Sequence, residues 1–347
     1  MKVNSTFILA TLTALLSFSS VLDACTRIIY TGANGQFLTA RSMDWQSDLY
    51  SDLWIFPRGM QRNGGIDKKS IQWTSKYGSV IASGFDVGTA DGMNEKGLTV
   101  NLLYLVEANY GKSNRPTLSV GAWPQYILDN FATVKQAVTA LSEEPFQIIA
   151  PPLPDGASAG LHISISDASG DSAIFEHIDG KLVVHHGKEF PVMTNSPHFD
   201  QQITLNSYWK DIGGITMLPG TNRASDRFVR ASYYVKSTPK FKKERMAVSA
   251  AFSIIRNASV PLGFSDPKKP NIATTLWRTV SDQKRLKYYF ESAISPNIFW
   301  VDLHKVDLRK GSKIRKLDLD GHPILSGEVS AQFKVAKPFK WLSPNSH

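Results

Sequence analysis

The 347-residue chain holds one cysteine, Cys25, and a thiolate is the strongest nucleophile that a side chain offers near neutral pH. Its position matters as much as its type. Lys2 supplies a positive start, Phe7 to Phe18 form an apolar run, and VLDA follows immediately before the cysteine. That is the pattern of an export signal, with Ala24 as the small residue ahead of the cut, although Leu22 is larger than the usual pattern prefers. Removal of residues 1–24 would make Cys25 the first residue. A free α-amine of pKa about 7.7–8.0 would then stand beside a thiol of about 8.5. The amine can take the thiol proton and later return it to a leaving amine, so one residue would carry both nucleophile and base.

An exported chain meets an oxidising compartment, where a solitary cysteine calls for an intermolecular bridge or a functional free thiol. The end of the leader, L-x-A-C, also fits the site at which bacterial lipoproteins are cut and acylated, with Asp23 unusual there. A lipid-anchored binding protein acylated at Cys25 is therefore the alternative from another class. The apolar run is too short to span a bilayer comfortably, so no stable membrane anchor is expected of the mature chain.

The elements after Cys25 decide what can reach it. TRIIY reads as a strand, GANGQ as a turn, and FLTARSMDW as the returning strand of a hairpin. The return brings Arg41 and Asp44 beside Cys25. A guanidinium there favours a thiolate, and a carboxylate can hold an ammonium. Downstream, LHISISD (161–167), SAIFEHI (172–178) and KLVVHH (181–186) alternate as strands, and TTLWRTVSDQ with KRLKYYFES forms another hairpin. Helical periodicity covers 131–143, with Thr133 as its cap, 225–236 and 243–256. Pattern alone gives a mixed α/β chain with antiparallel sheets, a leader over 1–24 and one catalytic domain over 25–347.

Composition narrows the function further. The hydrophobic content of 42% and charged content of 20% are those of a globular chain. The formal charge of +9 survives loss of the leader, because residues 1–24 contain one Lys and one Asp. Lys240 to Arg245 (KFKKER) is short and sits in no nucleic-acid module, so small organic anions suit the charge better than nucleic acid. His185 and His186 are adjacent on a strand and face opposite ways, and no H-E-x-x-H spacing occurs, so no metal and no cofactor are implied.

Four motifs in order resemble the choloylglycine hydrolases, which include penicillin V acylases and conjugated bile acid hydrolases. They are Cys25 with RSMDW, DGMNEKGLTVNLLY at 91–104, TNSP at 194–197 and DRFVR at 226–230. The resemblance implies an α+β, four-layer αββα N-terminal nucleophile hydrolase fold with two stacked antiparallel sheets. It implies Cys25, Arg41, Asp44, Asn195 and Arg227 as catalytic residues, with Arg230 structural. The Asn195 amide and the Tyr104 backbone N–H would form the oxyanion hole, and Trp45 and Tyr104 would face the acyl group. The expected reaction is hydrolysis of a linear amide through an acyl-thioester on Cys25. Penicillin V leads, acyl-homoserine lactones are further candidates, and bile acid conjugates are the alternative. The export signal and a gap of only 32 positions between Asn195 and Arg227 resemble the Gram-negative, periplasmic branch. A homo-oligomer stays open, but the segment that builds the family's usual tetramer is missing.

Overall fold

The computed structural model describes residues 25–264, 273–295 and 297–344; the leader over 1–24 lies outside them. Among the described residues two large sheets stack between helices. The first has seven strands in the order 192–193, 26–31, 37–45, 274–282, 287–292, 298–302 and 327–328. The second has nine, in the order 181–186, 172–178, 161–166, 99–104, 88–94, 79–84, 53–56, 315–317 and 334–335. Helices α1 (Trp123–Asn130) and α2 (Val134–Leu141) cover the second sheet. On the first sheet, α4 (Ala224–Ser237) and α5 (Glu244–Asn257) pack directly, with α3 (Phe199–Ile212) against α4. This is the expected αββα order, with one departure: the edge pairing of Phe299 with Gly327 is parallel.

The strand Phe37–Trp45 explains why simple alternation is hard to read here. It is covered on both sides, and its two faces have different chemistry. Leu38 and Ala40 share the side of α5, whereas Thr39 and Arg41 point between the sheets, where Thr39 Oγ1 meets Ser166 Oγ at 2.6 Å. Arg27 on the neighbouring strand also crosses this layer, donating to Ile165 O at 3.0 Å and Ser172 Oγ at 2.8 Å. These bonds join buried donors of one sheet to buried acceptors of the facing sheet, which fixes how the sheets slide against each other.

The hairpin register then sets the site. Thr26 pairs with Ser42 and Arg27 with Arg41, so Cys25 lies level with Met43 at the strand end. On its other side, Phe37–Trp45 pairs with Thr274–Asp282, and a bulge at Leu276 shifts the register between Thr275 and Trp277.

Sequence periodicity locates α2, α4 and α5 to within a few residues, and the Thr133 hydroxyl accepts from Gln136 N at 3.3 Å as the expected cap. Replacing Thr133 by Ala is expected to cost about 1 kcal/mol, measured as a lower urea midpoint with unchanged slope. Activity per folded molecule should stay the same.

Candidate active site

Cys25 is 2% exposed and sits on the face between the sheets. Arg41 Nη2 approaches its sulfur at 3.6 Å, and the Asp44 backbone N–H at 3.4 Å. The Met43 thioether lies 3.8 Å away and also takes an Arg41 N–H at 3.2 Å. Arg41 reaches this point because it is wedged between two strands. Residues 88–94 and 99–104 pair over Asp91–Met93 with Thr99–Asn101 and then part. At the parting, Arg41 donates to Ala90 O at 3.4 Å and Leu102 O at 2.8 Å. Its guanidinium lies 4.7 Å from the Trp277 ring centroid and 3.9 Å from the Asp91 carboxylate.

Asp44 points to the opposite face of the strand. Its carboxylate accepts from the hydroxyls of Ser42 (3.2 Å) and Thr275, and lies 4.0 Å from Arg227. Burial pushes the Asp44 pKa up to about 6, against the pull of Arg227, the Thr275 hydroxyl and Arg41. Burial also raises the Cys25 thiol, against the Arg41 charge, while Asp44 raises it further. The strand end is therefore held with a guanidinium on the sulfur side and a carboxylate on the other.

Arg227 closes the group from α4. Its Nη1 donates to Cys25 O at 2.7 Å and to Thr26 Oγ1 at 2.5 Å, and its Nη2 donates to Asn195 Oδ1 at 3.0 Å. The last bond fixes which way the Asn195 amide faces, so its Nδ2 points to Tyr104 O at 2.8 Å. An amide nitrogen carries two protons, and this bond uses one of them. The Leu105 N–H bonds to Gly160 O at 2.9 Å, and Tyr104 stands opposite Leu161. By ladder alternation the Tyr104 N–H turns away from that neighbour, toward the parting of the strands. Arg230 donates instead to Pro219 O and Thr221 O and holds the approach to α4.

The sulfur faces an apolar, partly open cavity walled by Met43, Trp45, Phe85, Leu102, Tyr104 and Leu153 among others. The Trp45 and Tyr104 rings meet edge to face at 5.7 Å, and the Trp45 N–H is held by Asp155 at 2.7 Å. The seven residues named from sequence thus all reach one place. No local pattern points to Thr275, which arrives through the bulge, or to Leu342, a cavity wall contributed from near the C-terminus. Met43 was within reach, since it lies inside RSMDW.

The match to the model for "linear amide C–N hydrolases, choloylglycine hydrolase family" spans residues 25–321. The chain is 52% identical to a penicillin V acylase of Pectobacterium atrosepticum, over 98% of both chains. The solved penicillin V acylase of Agrobacterium tumefaciens superposes with TM-score 0.86 at 55% identity, covering 92% of this chain and all of that one. A mutant conjugated bile acid hydrolase from Clostridium perfringens shares the fold, with TM-score 0.73 at 23% identity over 88% of this chain and 98% of that one. The chain therefore belongs to the choloylglycine hydrolase family of linear amide C–N hydrolases.

Proposed function

We propose that the chain is an exported penicillin V acylase whose mature form begins at Cys25. The observation that carries this reading is the Cys25 sulfur at the wall of an apolar cavity, with Arg41 and the Asp44 N–H on it. Lys2, the apolar run 7–18 and a family match that opens at residue 25 support export and cleavage before Cys25. The periplasm is the compartment this reading assigns.

In the proposed reaction the phenoxyacetyl group enters the cavity and the amide carbonyl lies over Cys25. The freed α-amine takes the thiol proton while Arg41 favours the thiolate. Sγ attacks the carbonyl carbon, and the oxyanion forms against the Asn195 amide and the Tyr104 N–H. The amine passes its proton to the departing nitrogen, the C–N bond breaks, and an acyl-thioester remains. Water then attacks, giving its proton to the amine; phenoxyacetate leaves and the thiol is restored. Asp44 orients the ammonium, and Arg227 holds the Cys25 carbonyl and Asn195 in register.

The cavity wall also suits the acyl chain of an acyl-homoserine lactone. A hydroxylated steroid would bring hydroxyls against a lining with few partners for them, which disfavours bile acid conjugates. The charge of +9 suits the carboxylate of penicillin V.

Parallel assays on penicillin V, an acyl-homoserine lactone and a glycine-conjugated bile acid should give kcat/KM in that order. A bile acid conjugate cleaved fastest would overturn the substrate assignment, and a processed Cys25→Ala protein that kept wild-type activity would overturn the mechanism. Arg41→Met should move the pH midpoint of Cys25 alkylation upward, because the charge that favours the thiolate is gone. The reaction needs Asp44 ionised, so activity should be lost as pH falls through its pKa. Since a neighbouring ammonium lowers that pKa, the loss that belongs to Asp44 should lie at or below about 6, beneath the one that comes from protonating the α-amine; Asp44→Asn should remove this lower step together with most activity.

A further inference from the structure

A buried hydrogen-bonded pair lies outside the site described above. His162 Nδ1 and Glu176 Oε1 are 2.8 Å apart, and each side chain is 1% exposed. A carboxylate this deep is costly unless both oxygens are matched. The second oxygen accepts the backbone N–H of Phe199, the first residue of α3, at 3.0 Å. His198, at the N-cap of α3, makes no side-chain capping bond. Glu176 therefore supplies, from the strand Ser172–Ile178, the acceptor that the helix start lacks, and sets a negative charge at its positive end. Burial alone would raise the Glu176 pKa; the hydrogen bonds from His162 and from the Phe199 N–H outweigh that and hold the carboxyl below its ordinary range.

The start of α3 in turn holds the oxyanion segment. Gln202, on its first turn, donates to Asn195 O at 2.9 Å and to Pro197 O at 3.0 Å. Asn195 is thus gripped twice, its side chain by Arg227 and its backbone by Gln202. His162 is tied to the same place from below, because its chain neighbour Leu161 pairs with Tyr104, whose carbonyl takes the Asn195 amide.

We propose that His162 and Glu176 are positioning residues for the oxyanion side of the reaction: they fix the start of α3 and, through Gln202, the place of the Asn195 amide. This rests on the reading of Asn195 as an oxyanion donor. The test compares Glu176→Leu, Glu176→Gln, Gln202→Leu and Asn195→Ala on penicillin V, with active molecules counted by Cys25 alkylation. Displacing a donor by about an ångström can cost up to roughly a hundredfold in rate. Glu176→Leu should accordingly lose roughly tenfold or more in kcat with KM within about twofold. The alkylation rate of Cys25 should not change, since the nucleophile is untouched. Glu176→Gln, which can still accept from Phe199 while the imidazole changes tautomer, should stay within about threefold of wild type. Gln202→Leu leaves the buried pair intact and should show the same loss of kcat, so the proposal stays testable should Glu176→Leu fail to fold. Wild-type kcat per active site in Glu176→Leu or Gln202→Leu, whatever the melting temperature, would overturn the positioning role. Wild-type kcat in Asn195→Ala would instead overturn the oxyanion reading on which it rests.

Discussion

The buried guanidinium of Arg227 is the interaction on which the rest of the site depends. It ties the carbonyl of Cys25 and the hydroxyl of Thr26 to the side chain of Asn195, residues more than 160 positions apart in the chain. Removing a fully buried charge partner of this kind typically costs about 3–5 kcal/mol, because the groups left behind have no water to turn to. The same bonds that hold the first strand in place therefore also orient the amide across from it. Stability and geometry are one constraint here.

Charge balance follows from that arrangement. Arg41 and Arg227 bring two positive charges into the interior, and Asp91 and Asp44 bring two negative ones, all fully buried. Asp91 is itself held from both sheets, by Asn101 on its own sheet and by Thr279 and Tyr288 on the other. The Cys25 sulfur lies on the Arg41 side and the Asp44 carboxylate on the Arg227 side. In the proposed mechanism, a strand that alternates its faces thus offers a thiolate and an ammonium opposite partners from residues only three apart. This is why Arg41 and Asp44 need an odd spacing, whereas an even one would put both on the same face.

Much of this is legible in the sequence. The hairpin after Cys25 has a turn of Gly and Asn between two strands, and its length alone brings Arg41 and Asp44 to the first residue. Helices α2, α4 and α5 carry regular apolar faces and a cap at Thr133. By contrast α3 buries little beyond Phe199, Gln202 and Asn206, so it has no periodic apolar stripe to read. The short α1 begins at Trp123–Pro124 and buries polar Gln125 and Asp129 along with its apolar face, which blurs the pattern. The bulge at Leu276, which turns Thr275 to Asp44, leaves no trace in local sequence. Contacts between the sheets, such as Asp91 with Tyr288, depend on how two distant hairpins stack, and spacing along the chain does not encode that.

The central claim is that one residue supplies both the attacking sulfur and the proton-carrying amine. Peptide mass mapping of the purified enzyme, acid-quenched during turnover of penicillin V, tests it most directly. The account predicts a first peptide that starts at Cys25 and carries the phenoxyacetyl group on its sulfur. A first peptide that retains any residue before Cys25, a lipid-acylated amine there, or an acyl group captured elsewhere in the chain would contradict it.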